Sequence, residues 1–299
     1  MKIINAYIFL ALLFTITSCI SNVKDADLPS PETQLVLTSF ISPQDEVIYV
    51  YIGKTKAIYG NEVSHSNDTI KDATIYIHDQ NDTLWLYYYP GTQYYKAEVN
   101  SFKIEEGKTY YLKASTTDGL YAEASCTIPK AYDLEFNISV DSFKNSYNDS
   151  YTYTLNMDWQ DPAGIKNYYR VSPHLVIITE RNYGYPYNYT SSDTSYHEFY
   201  FYWLENYISD SGKDGNKITV TNGKTPSPYN PNVNTYSHYC GVKVIMFFTD
   251  ENYYKYNTSV YKFDGENPFS EPVLVHSNIK NGFGTFAGYN KIEKLVLKQ

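Results

Sequence analysis

With 299 residues and a formal net charge of −9, the chain is long enough for two domains of ordinary size. It is too acidic for the basic stripe of a nucleic-acid binder, which excludes nucleic acid as a partner. Its 35 tyrosines, with abundant Thr, Val and Ile, suit pleated, half-buried surfaces and predict an all-β protein.

At the amino terminus, Lys2 precedes the apolar run Ile8-Phe9-Leu10-Ala11-Leu12-Leu13-Phe14. The run is shorter than the roughly 20 residues that span a bilayer and has the length of a secretory h-region. Ile16-Thr17-Ser18-Cys19 then resembles a relaxed lipobox, small residues leading into a cysteine. Residues 1–18 are therefore expected to be a lipoprotein signal peptide, with Cys19 the acylated first residue of the mature protein. Residues 19–31, polar and carrying Pro29 and Pro31, read as an extended tether.

The first domain is expected over residues 32–129. Strands are predicted near Leu35–Ile41, Val47–Ile52, Ala73–His78, Thr83–Tyr88, Tyr94–Val99, Thr109–Ala114 and Tyr121–Ile128. Turn signals at Pro90-Gly91, Glu106-Gly107 and Asp118-Gly119 divide them. Seven short strands in about 100 residues fit an immunoglobulin-like or transthyretin-like β-sandwich.

A second, fibronectin-like β domain is expected over residues 130–299. Leu134, Phe136, Ile138 and Val140 alternate with polar residues, as do Tyr151, Tyr153, Leu155, Met157 and Trp159. Trp159 is predicted to be buried ahead of the Asp161-Pro162-Ala163-Gly164 turn. An insertion interrupts this pattern at about 181–239. Asp250 is expected to cap one short helix running to about Lys262.

Motifs for chemistry are sparse. The six histidines are scattered without metal-ligand spacing, and no Gly-x-Ser-x-Gly elbow occurs. Gly282, Gly284 and Gly288 superficially match a phosphate loop but lack a strand-to-helix context. Close backbone approach is their expected use. Paired carboxylates remain open, because they need proximity only in space. No catalytic residue, cofactor or metal is predicted.

The aromatic stretch from Tyr183 to Trp203 carries the functional promise, with Tyr185, Tyr187 and Tyr189 the candidate interface residues. Cross-strand packing on an exposed sheet is the competing explanation. Cys126 and Cys240 could form a disulfide in an exported compartment, or remain two free thiols.

Several motifs together resemble one family. They are the tail Asn267-Pro268-Phe269-Ser270-Glu271-Pro272-Val273 and Gly282-Phe283-Gly284-Thr285-Phe286-Ala287-Gly288-Tyr289, the opening Leu35-Val36-Leu37, Asp72-Ala73-Thr74-Ile75, Gly107-Lys108-Thr109-Tyr110-Tyr111-Leu112, and Trp159-Gln160-Asp161-Pro162-Ala163-Gly164. The chain resembles, over nearly all of its mature length, the Bacteroidetes outer-membrane lipoproteins described as domain of unknown function 4249. The resemblance implies an outer-membrane location and an accessory role beside a TonB-dependent receptor, and Asp25 and Asp27 behind Cys19 resemble the signals that send such lipoproteins to the cell surface. It transfers no catalytic or ligand residues. A lipid-anchored, non-catalytic protein binding that receptor or its nutrient cargo is thus expected, with a surface-tethered hydrolase or a structural or adhesive envelope protein as alternatives. Asp68-Thr69-Ile70 and Asp82-Thr83-Leu84 further resemble the O-glycosylation sites of such exported proteins. Thr69, expected in a loop, is the stronger candidate and Thr83, at a strand start, the weaker.

Overall fold

The computed structural model describes residues 32–55, 69–100, 102–144, 151–184, 189–226, 235–263 and 274–298. These residues are predominantly β, as the composition predicts. The first strands are β1 (Leu35–Ile41), β2 (Val47–Lys54), β3 (Thr74–His78), β4 (Thr83–Tyr88), β5 (Tyr94–Glu98), β6 (Thr109–Ser115) and β7 (Tyr121–Thr127). They follow the predicted order with end shifts of a residue or two. There follow β8 (Asn137–Lys144), β9 (Tyr151–Gln160), β10 (Tyr168–Tyr183), β11 (Tyr189–Glu198), β12 (Tyr207–Ser209), β13 (Lys217–Pro226), β14 (Thr235–Thr249), the helix α1 (Glu251–Lys262) and β15 (Gly282–Leu297).

Strict alternation explains the first core. In β1, Leu35, Leu37 and Ile41 are fully buried while Val36, Thr38 and Phe40 are only partly so. Such side chains stabilise the fold by roughly 1.5–3 kcal/mol each when fully buried. Strand β4 turns the corner between layers: its Ile75 and Tyr76 partners in β3 face Leu86 and Trp85, whereas Tyr87 and Tyr88 pair with Lys96 and Tyr95 of β5. The layers β15-β1-β2-β5-β4 and β4-β3-β6-β7 thereby enclose one core, which also takes in Cys126 and Phe286. Tyr110 ties a connecting segment to it, its hydroxyl donating to the Lys103 carbonyl at 2.9 Å and accepting from the Glu105 amide at 2.8 Å.

The second core lies between β11-β10-β14-β15 and the three-stranded sheet β13-β9-β8. Trp159 is buried there as predicted, with its ring edge-on to Tyr169 at 5.4 Å. Leu134 is buried as well, although β8 begins only at Asn137. The described part of the stretch 181–239 is built mainly of strands: β11 continues the sheet beside β10, and β13 brings Ile218 and Val220 into the core.

Strand β15 joins both halves. Gly282–Gly288 run parallel to β1, and Tyr289–Leu297 run antiparallel to β14. The glycines make this possible. A Cβ on Gly284, where φ is +105°, would overlap the Leu37 carbonyl oxygen, and one on Gly282 would sit 2.5 Å from that of Leu35. Close backbone approach, and not phosphate binding, is what these glycines serve.

Candidate functional site

Of the residues singled out in the sequence, Cys19, Tyr185 and Tyr187 lie outside the described residues, and Tyr189 opens β11 opposite Tyr183. From Phe199 to Tyr202 the aromatic side chains alternate inward and outward, and the Tyr202–Leu204 turn breaks the pattern. Phe199 is buried, and Phe201 packs on Gly223, where a Cβ would meet the ring at 2.7 Å. Tyr200, Tyr202 and Trp203 stand outward at 68%, 79% and 78% exposure. Backbone bonds between Tyr200 and Lys224 (2.9 Å in both directions) hold the strip to β13. Trp203 and Leu204 both have positive φ, 49° and 59°, a conformation that costs residues with a Cβ about 1–3 kcal/mol each. Tyr202 and Trp203 thus stand exposed at a turn whose strain sits at Trp203 and Leu204.

The disulfide is not formed. Cys126 and Cys240 are both free thiols. Cys126 faces the first core, where burial holds its thiol well above the usual range. Cys240 lies on β14 at a bulge, where the register passes from Val176–Gly241 to Ile177–Tyr239. Cys126 lies on β7 and Cys240 on β14, and only Cys126 is part of a buried core. The Thr69 hydroxyl is partly buried and donates to the Gln93 carbonyl at 3.4 Å, while Thr83 is exposed just after the β3–β4 turn.

Two constellations escaped the sequence because they assemble across strands. The first is an aspartate triad. Asp161 follows Trp159 in the Pro-Ala-Gly turn, and Asp210 and Asp214 lie in the turn between β12 and β13. One carboxylate oxygen from each lies within 4.8 Å of the others, with Asp161 and Asp210 buried. Asp161 accepts from the Tyr169 hydroxyl (2.5 Å) and the Gly215 amide (3.0 Å). Asp210 accepts from the Asn167 amide (2.6 Å) and Asp214 from the Gly164 amide (2.8 Å). Burial, reinforced by the Asp161 and Asp214 charges, raises the Asp210 pKa. Burial and then the bond to Asp161 push the Tyr169 hydroxyl far up. Oxygen ligands of this kind suit a hard cation, yet their bonds already lock two turns together.

The second lies on the outer face of β4-β3-β6-β7. Register places Trp85, Tyr76, Lys113 and Glu123 in one cross-strand row and Thr83, His78, Tyr111 and Ser125 in the next. The rings form a ridge: Trp85 to Tyr76 at 4.9 Å, Tyr76 to His78 at 5.9 Å, and His78 stacked on Tyr111 at 5.2 Å. An isolated bridge from Glu123 to Lys280 lays residues 278–280 along the far side. A cleft of about 350 Å³ results.

Fold and surfaces define an all-β protein of two sandwich-like halves sharing one strand, with aromatic surfaces displayed on both. It belongs to the family described as domain of unknown function (DUF4249), whose model matches residues 22–294. Comparison with curated proteins finds no match.

Proposed function

We propose that this is a Bacteroidetes-type lipoprotein of the outer membrane, anchored through Cys19, that binds a TonB-dependent receptor or its nutrient cargo without catalysing a reaction. The observation that carries the reading is the exposure of Tyr202 and of the positive-φ Trp203, with Tyr196 and Tyr200 also exposed, in and just after the strand that Tyr189 opens. Exposed aromatics offer large contact area with few rotatable bonds and are enriched in interface hot spots. The anchor rests on the apolar run and the Ile16-Thr17-Ser18-Cys19 sequence. A tether over residues 19–31 would reach at most roughly 45 Å if fully extended, enough to hold the β body at a membrane and beside a membrane-embedded partner.

The test is co-purification from native membranes. The wild type is expected to bring down a TonB-dependent receptor. Replacing Tyr202 and Trp203 by Ala, or Tyr185, Tyr187 and Tyr189 by Ala, should weaken recovery while the near-ultraviolet dichroism stays native. A wild type that recovers no receptor would overturn the partner. Recovery unchanged in both variants would overturn the surface.

A further inference from the structure

The cleft on the β3-β6-β7 face combines stacked rings with a cluster of charged side chains. One wall is aromatic, the stacked rings of His78 and Tyr111, whose planes lie 20° apart. The floor runs over Leu112 and Ala124, and the polar groups Lys113, Glu123, Ser125, Asn278 and Lys280 stand around it. Glu123 is their centre. Its carboxylate accepts from the Tyr121 hydroxyl at 2.6 Å and lies 3.6 Å from the Lys280 ammonium and 4.0 Å from that of Lys113. A carboxylate has about four acceptor sites and each ammonium three donors, so this loose network keeps capacity for a ligand.

We infer that this cleft binds a carbohydrate, a pyranose ring lying against Tyr111 and His78 with its hydroxyl groups meeting Lys113, Glu123 and Lys280. A pyranose has an apolar C–H face and a rim of hydroxyls that both donate and accept. The aromatic wall matches the first, and a carboxylate flanked by two ammonium groups matches the second. A lipid chain would strip water from Lys113, Glu123 and Lys280 and give nothing back. The volume, about 350 Å³, falls at the lower end of the roughly 300–1,000 Å³ of small-ligand sites. The face formed by Tyr49, Tyr87, Tyr94 and Lys96 is the internal contrast. It is equally aromatic, but Tyr49 and Tyr94 meet edge-on at 81°, and Lys96 is spent over the Tyr89 ring at 3.7 Å.

This inference goes beyond the receptor reading and stands or falls apart from it. The full protein in detergent would be titrated calorimetrically with short xylo-, manno-, gluco-, galacto- and galacturono-oligosaccharides. At least one series should bind, with affinity falling about tenfold or more in Tyr111→Ala, kept in Tyr111→Phe and unchanged in Tyr87→Ala. If Tyr111→Ala fails to fold, protection of Lys113 and Lys280 from acylation by the bound sugar replaces it, and protection is the supporting result. Absence of binding across all five series would overturn the inference. So would binding that survives in folded Tyr111→Ala, or lysines left equally reactive. Receptor co-purification is measured separately, so its failure leaves this result intact.

Discussion

The Asp250 carboxylate holds two elements at once: one oxygen accepts from the Tyr253 amide at 2.7 Å, and the other accepts from the Gly288 amide at 3.0 Å. The first bond caps α1, and the second fixes β15 at the residue where its partner changes from β1 to β14. Asp250→Ala should destabilise the protein by about 1–3 kcal/mol, more than a cap alone, as denaturant midpoints would show.

Burial raises the Asp250 pKa to about 6, against hydrogen bonds that lower it. With the folded value above the unfolded one, the folded state holds the extra proton. This contribution is complete below about pH 4, declines as pH rises to about 6, and is flat beyond. Asp118, Glu123 and Glu251 are shifted down and act in the opposite sense. The stability difference between wild type and Asp250→Asn should therefore change across that window and level off above it. A difference independent of pH would refute the assignment.

Gly284→Ala should cost about 3 kcal/mol or more, because the added carbon has no room against Leu37 and φ is positive. Gly91→Ala, also at positive φ but with open space around it, should cost only about 1–2 kcal/mol. Thermal unfolding of the two variants would show whether close approach or conformational strain accounts for most of the loss at Gly284.

Thiol labelling distinguishes the cysteines. Cys240, partly exposed, should react in the native protein, whereas Cys126 should react only after denaturation. A mass two hydrogens short in the unreduced protein would contradict the free-thiol arrangement.

Peptide mapping of the native protein should place any O-linked sugar on Thr83, not Thr69, because Thr83 is exposed after the β3–β4 turn and the Thr69 hydroxyl is engaged. Cys19→Ala should release the protein from membranes or leave an uncleaved precursor. Unchanged fractionation with unchanged processing would exclude the anchor.

The amino-acid sequence by itself determined the local structure. Alternation in β9, the turn glycines, the Asp250 cap and the burial of Trp159 are all properties of neighbours in the chain, and they were legible there. It also marked Phe199 to Trp203, since an aromatic run needs no partner to be noticed. Only the tertiary structure decided which strands adjoin. Residues 282–288 pair with the first strand, and Asp161 meets Asp210 and Asp214. His78 stacks on Tyr111 beside Glu123 and Lys280. Strand register joins residues far apart in sequence, and period-two patterning fixes which way a side chain faces without naming the strand it lies beside.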